Sequence, residues 1–149
     1  MTDAEIYESL RWDLMRYATA LVGPDDAADM VSSAVTKVLD AKGGLTPLRD
    51  ARPYLMRAVL NEVRMRYRTR SRRPMVPMAS LPEGAHEPGH DHMIDLVDRL
   101  PPRQRAATYL VYYREYTPTE AAQLMGCRPA TVRRYLSLAR DKLREALDE

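Results

Sequence analysis

One cysteine, Cys127, in 149 residues leaves no internal disulfide framework to organise the fold. Long apolar runs are missing too. The longest stretch without a charged side chain is 74–82, nine residues that include three prolines, so no membrane-spanning helix is encoded. The start, MTDAEIYESL, is acidic and lacks the basic-then-apolar pattern of a secretion signal, and a cytoplasmic location is expected. No segment alternates apolar and polar residues between turn signals, which excludes β-hairpins and makes the expected fold all-α. The chemistry of an enzyme is also absent: there is no carboxylate pair in an apolar frame, no glycine-rich phosphate loop and no Ser/His/Asp arrangement. The chain is therefore expected not to be an enzyme and to need no cofactor, small-molecule substrate or metal. His86, His90 and His92 lie close together, but in a proline-rich stretch far from Cys127, and are read as linker residues.

What is present is charge, unevenly placed. The net charge is only +2, yet residues 1–30 carry seven acids against Arg11 and Arg16, a net −5. Residues 57–73 carry seven arginines against Glu62, and residues 128–144 carry five arginines and Lys142 against Asp141, so these blocks stand at +6 and +5. Two basic blocks in a small protein point to two nucleic-acid contacts.

Hydrophobic periodicity gives the elements. Residues 4–22 place Ile6, Leu10, Leu14, Tyr17, Ala18 and Leu21 on one helical face, and Gly23-Pro24 ends that helix. A second helix over 24–41 buries Ala27, Met30, Val31, Ala34, Val35 and Val38, with Asp25 and Asp26 in its positive first turn, and stops at Gly43-Gly44. A third, over 53–70, turns Met56, Val59, Leu60, Val63 and Tyr67 inward. Arg57, Asn61, Arg64 and Arg68 recur at i, i+4, i+7 and i+11 on another side, a row suited to a nucleic-acid strand. The bland reading, that these arginines only meet the acids of the first helix, accounts for one or two of them more easily than for seven. Residues 71–92, with Pro74, Pro77, Pro82 and Pro88 and no periodicity, form a linker between domains at 1–70 and 93–149. A short helix over 93–100 and a longer one over 103–115 open the second domain.

Thr117 to Arg144 carries the strongest local signal. Thr117, Pro118 and Glu120 fit a capping box with proline at the first helical position. Gly126 supplies a left-handed stop. Pro129 starts a second helix in which Val132, Leu136, Ala139, Leu143 and Leu147 form one stripe. This is the pattern of a helix-turn-helix whose second helix enters the major groove. Arg133, Arg140 and Arg144 flank the stripe, while Thr131, Arg134, Tyr135, Ser137 and Leu138 project from it. Arginine suits phosphate oxygens and guanine edges. The competing reading is a packing helix with a solvated basic face.

Two domains, each ending in a basic helix, resemble the sigma factors of bacterial RNA polymerase, and most closely the small extracytoplasmic-function group. The resemblance spans residues 4–71 and 93–147. LPPRQR (100–105), TPTEAAQLMG and PATVRRYLSLARDKLREAL are similar to that family's fourth region. DAADMVSSAVTKVL resembles its clamp-binding helix, and RPYLMRAVLNEVRMRYRTRSRR its minus-ten helix, with Asn61 at the family's Asn position. The resemblance implies a polymerase contact through Asp29, Ser32 and Ser33. It implies minus-ten single-strand contacts through Arg57, Asn61, Arg64 and Arg68, with a base pocket in the loop 45–52. It implies minus-thirty-five duplex contacts through Thr117, Arg128, Thr131, Arg133, Arg134, Tyr135, Ser137, Leu138 and Arg140. Core RNA polymerase, promoter DNA and an anti-sigma protein, possibly membrane-bound, are the implied partners. Some positions depart from the family pattern. Ser32 and Ser33 stand where it has Gln and an acid, Val35 replaces an aromatic, Met65 an acid, and Arg128 a Ser cap, while Tyr135 and Leu138 occupy positions that are usually basic. Leu138 offers an apolar contact to a thymine methyl. A helix-turn-helix regulator that binds DNA without joining polymerase is the alternative; seven arginines over 57–73 argue against it, because a dimerisation domain has no use for them.

Overall fold

The computed structural model describes residues 1–72 and 96–148, all helical or connecting backbone with no strand among them. Three helices build the first domain: α1 (Asp3–Val22), α2 (Pro24–Lys42) and α3 (Ala51–Arg72). The second comprises α4 (Pro102–Thr108), α5 (Pro118–Met125) and α6 (Pro129–Asp148), preceded by a helical turn at 96–98. The fold is all-α, with two helical domains and a helix-turn-helix in the second.

Local chemistry sets the boundaries. Thr2 caps α1 by accepting from the Glu5 amide at 3.2 Å. Pro24 opens α2 at its first position, and Gly43, left-handed at φ 70°, closes it. Asp3 then ties the following loop down, its carboxylate accepting from the amides of Leu45 (2.8 Å) and Thr46 (3.0 Å). Helix α3 begins two residues before the expected Pro53, because Asp50 accepts from the Arg52 amide at 3.1 Å and caps the turn.

The apolar faces read from the sequence meet in the core. Leu14, Tyr17, Ala18, Ala34, Leu55 and Val59 are buried in the first domain, and Ala106, Ala107, Leu110, Ala121 and Val132 in the second. Each fully buried leucine or valine contributes about 1.5–3 kcal/mol over exposure. Two expectations fail at helix ends: Tyr67 is 48% and Leu147 54% exposed. Tyr67 lines an open cleft with Leu21, Val22 and Pro102, and Leu147 lies in the last turn of α6. The predicted helix over 103–115 also changes character. After Thr108 it widens into a π-helical turn, Tyr109–Tyr113, closed by the Arg114 amide donating to the Tyr109 carbonyl at 3.0 Å. This turn stacks the rings of Tyr109 and Tyr113 with centroids 5.4 Å apart.

The domains share one continuous core, in which α3 lies against α4 and α5, and α1 against α4. Tyr17 and Tyr109 meet across the boundary, ring centroids 6.0 Å apart. The expected linker and its histidines fall almost wholly outside the described residues.

Candidate nucleic-acid interface

The helix-turn-helix forms as its residue types dictate. Thr117 Oγ1 accepts from the Glu120 amide at 3.1 Å, and Glu120 Oε1 accepts from the Thr117 amide at 3.0 Å, a reciprocal capping box. These bonds hold the Glu120 carboxyl below its usual range, chiefly through the Thr117 backbone and then its side chain. At the far end Gly126 is left-handed at φ 73°. Its amide and that of Cys127 both donate to the Ala122 carbonyl, at 2.9 and 3.0 Å. The Arg128 carbonyl accepts the first bonds of α6, from Thr131 and Val132, so Arg128 stands at the cap with its side chain exposed.

Helix α6 then sorts its side chains. Val132, Leu136 and Ala139 are buried. Arg133, Arg134, Ser137, Leu138 and Arg140 are exposed, with Thr131 half-buried beside them. Arg140 Nη2 donates to the Tyr112 hydroxyl at 3.0 Å. Tyr135 leaves this outward set: it is half-buried and packs on the shared core.

The row on α3 is where the two domains meet. Arg57, Asn61 and Arg64 line a polar pocket of about 260 Å³ with Arg103, Gly126, Cys127 and Tyr135. Arg57 Nε donates to the Gln123 carbonyl at 2.8 Å. Arg68, at the exposed end of the row, contributes to lowering the proton affinity of Arg64, after burial and Arg103. Of the seven arginines over 57–73, Arg66 pairs with an acid, but with Asp26 of α2 at 3.0 Å and not with the first helix; the arginine that meets an acid of α1 is Arg52, before that block, paired with Asp13. Arg114 of the second domain joins Asp13 at 3.5 Å. The loop over 45–52 lines a separate cleft of about 390 Å³ with Ile6, Ser9 and Leu10, into which Thr46, Leu48, Arg49 and Asp50 contribute. On α2, Asp29 and Ser32 are exposed and Ser33 half-buried, all available to a partner.

Sequence reasoning missed the second domain's own contribution to this boundary. Arg105 Nε donates to the Ala20 carbonyl at 2.6 Å, while its other nitrogens hold Asp98 through the carbonyl (3.0 Å) and carboxylate (2.7 Å). Burial pushes the Arg105 pKa down and Asp98 pulls it back. The two cross-domain arginine bonds are reciprocal. Each ends on a carbonyl in the last turn of a helix, where the backbone lacks a partner and the dipole favours a cation. Ala20 is orphaned because residue 24, which would donate to it, is proline. Gln123 is passed over because the Cys127 amide turns back to Ala122. Neither α1 nor α5 has a basic residue of its own in its last turn.

Among the described residues no helix is long and apolar enough to cross a membrane, and no group of His, Cys, Asp and Glu is arranged to hold a metal.

Comparisons with known proteins agree with this architecture. The family model for sigma-70, region 4 matches residues 91–143. An RNA polymerase sigma-E factor of Streptomyces avermitilis is 29% identical over 152 residues, covering 97% of this chain and 84% of that protein. The RNA polymerase sigma-E factor of Streptomyces coelicolor is 29% identical over 151 residues, covering 96% and 85%. Among solved structures, the sigma factor RpoE in complex with the anti-sigma factor NepR from Bartonella quintana aligns with TM-score 0.66 and 21% identity, over 97% of both chains. The PhyRSL–NepR complex from Sphingomonas sp. Fr1 aligns with TM-score 0.63 and 18% identity, over 97% of this chain and 88% of that one. These two likenesses are of fold.

Proposed function

The chain belongs to the extracytoplasmic-function group of RNA polymerase sigma factors, and from that premise we infer how its two domains divide the work of promoter-directed transcription initiation. In the cytoplasm it binds core RNA polymerase and directs it to a set of promoters; the polymerase does the chemistry, and this chain contributes no catalytic group. Residues 1–70 act as the polymerase-binding and minus-ten domain, and residues 93–149 as the minus-thirty-five domain, joined by 71–92.

The observation that carries the assignment is the outward face of α6. Arg133, Arg134, Ser137, Leu138 and Arg140 are exposed on α6 and Arg128 at its cap, and the preceding α5 is fixed by the Thr117 box at its start and Gly126 at its end. Arg128, Arg140 and the Thr119 amide, which the capping box beside Thr117 leaves open, serve phosphates. Thr131, Arg133, Arg134 and Leu138 face base edges. Tyr135 joins them once the domains separate. In the first domain, Arg57, Asn61, Arg64 and Arg68 follow the minus-ten strand, whose unstacked bases enter the cleft beside 45–52. Asp29, Ser32 and Ser33 meet the polymerase clamp. The arrangement described above is a closed one, since Arg57, Asn61 and Arg64 face the second domain. Initiation therefore requires the domains to part, and an anti-sigma protein that keeps them together is the expected negative regulator.

The test is to mix the chain with core polymerase and select initiating templates from a promoter library. Co-elution with selective initiation is the expected result. Duplex binding with no polymerase association would overturn it and leave a helix-turn-helix regulator on a sigma-like frame.

A further inference from the structure

We propose that the pocket between α3 and the α5–α6 turn is a binding site for a small phosphate-class polyanion. Its occupancy clamps the domains shut and competes with the minus-ten strand. The competition rests on the assignment of Arg57, Asn61 and Arg64 to that strand; the site itself rests on geometry alone.

Three guanidinium side chains converge there from two domains: Arg57 and Arg64 from α3, and Arg103 from α4. Among the described residues no carboxylate lines the pocket. The nearest acid along α3, Glu62, is spent on Lys37 of α2, on another face of the helix. Elsewhere along the boundary the arginines have acids beside them: Arg105 has Asp98, and Arg114 and Arg52 share Asp13. Here three arginines meet with no such acid among the described residues that line the pocket. Bringing like charges together across an interface opposes closure unless an anion joins them. The electrostatics register the crowding. Burial first, then Arg103 and Arg68, depresses the proton affinity of Arg64. Arg103 and Arg57 partly offset the rise that burial causes in the Cys127 thiol.

The remaining groups fit the same ligand. Asn61 offers an amide and Tyr135 a hydroxyl, donors for phosphate oxygens between the arginine forks. Gly126 keeps the floor low, because a Cβ there would lie 3.1 Å from Arg57 Cδ. A volume of about 260 Å³ is below the range of drug-sized ligand pockets and suits a phosphate chain better than a whole nucleotide. The same chemistry is offered by free diphosphate and by the backbone of a DNA strand. Closure favours the free anion, because the strand needs the row on α3 uncovered.

The experiment titrates inorganic diphosphate into the full chain at low, matched ionic strength, by calorimetry and by thermal unfolding. One-to-one saturable binding is expected, with a midpoint raised by about 5–10 °C at a hundredfold excess over Kd. Arg103→Ala, at an exposed position outside the promoter-contacting set, should weaken binding about tenfold while leaving initiation with core polymerase intact. Arg64→Ala gives a second, independent loss, and Arg133→Ala on the far face of the second domain gives none. A labelled minus-ten single strand should be displaced by diphosphate at the Kd of the anion. Absence of saturable binding, or equal weakening by Arg133→Ala, would overturn the site; binding without strand displacement would overturn the competition. Failure of the wild-type chain to initiate with polymerase bears on the sigma assignment alone, since the titration contains no polymerase.

Discussion

Arg57 lies across Gly126: a Cβ at that glycine would come within 3.1 Å of Arg57 Cδ and 3.3 Å of its Cγ and Nε. Two demands thus meet at one residue, a left-handed turn between α5 and α6 and a close approach by the other domain. Gly126→Ala is expected to cost about 1–2 kcal/mol from the backbone alone, and more from the contact. Gly126→Asn relieves the backbone term while keeping the contact. Denaturant unfolding of the pair separates the two, and equal stability of both variants with the wild type would refute the packing.

Arg105→Ala removes a part-buried, charge-assisted bond to the Ala20 carbonyl and an ion pair to Asp98 without touching any proposed DNA contact. A loss of about 1.5–3 kcal/mol is expected. On the proposal that closure competes with strand binding, the same variant should bind a minus-ten oligonucleotide more tightly. Fluorescence anisotropy reads this directly, and unchanged or weaker binding would contradict the closed-state argument.

The capping box has a pH signature. The Glu120 carboxyl is held below its ordinary value in the folded chain, so the unfolded chain binds the proton more readily. Its stabilising contribution is complete above the ordinary carboxyl pKa and disappears as pH falls through the folded value. Glu120→Gln should flatten that part of the stability profile, and Thr117→Ala should cost about 1 kcal/mol at neutral pH. Thermal midpoints taken from neutral to acid pH on the three proteins provide the check.

Arg134 and Arg128 are expected to differ in kind. Loss of a base-contacting arginine costs about 1–3 kcal/mol and relaxes preference at one base pair. Loss of a phosphate contact weakens all sequences alike and lowers the salt slope by about 1. Arg134→Ala should follow the first pattern and Arg128→Ala the second, in binding measured over a salt series on specific and scrambled duplexes.

Much of this arrangement was legible because it is local. The Thr117 box, the Gly126 stop and the stripe through Val132, Leu136 and Ala139 depend on spacings of three or four residues, which the sequence displays directly. The row Arg57, Asn61, Arg64 was equally visible, but what it faces was not. Its neighbour Arg103 and its acceptor Gln123 are more than 35 residues away, and nothing in either residue marks it as a partner. Tyr67 and Leu147 continue their stripes in sequence yet stay about half exposed, since spacing along one helix does not say how closely another packs on it. Tyr135 follows the spacing of a DNA-facing residue, yet its ring packs at the domain boundary. The π-helical turn at Tyr109–Tyr113 has no sequence rule behind it.

The reciprocal bonds from Arg57 and Arg105 both end on main-chain oxygens. A main-chain acceptor is present whatever side chain the codon specifies, so substitutions at Ala20 or Gln123 cannot delete the latch chemically. Only the arginine half of each bond is open to mutation. Drift on the acceptor side is tolerated, and the share of the domain contact that these two bonds supply is adjusted by changes at two codons.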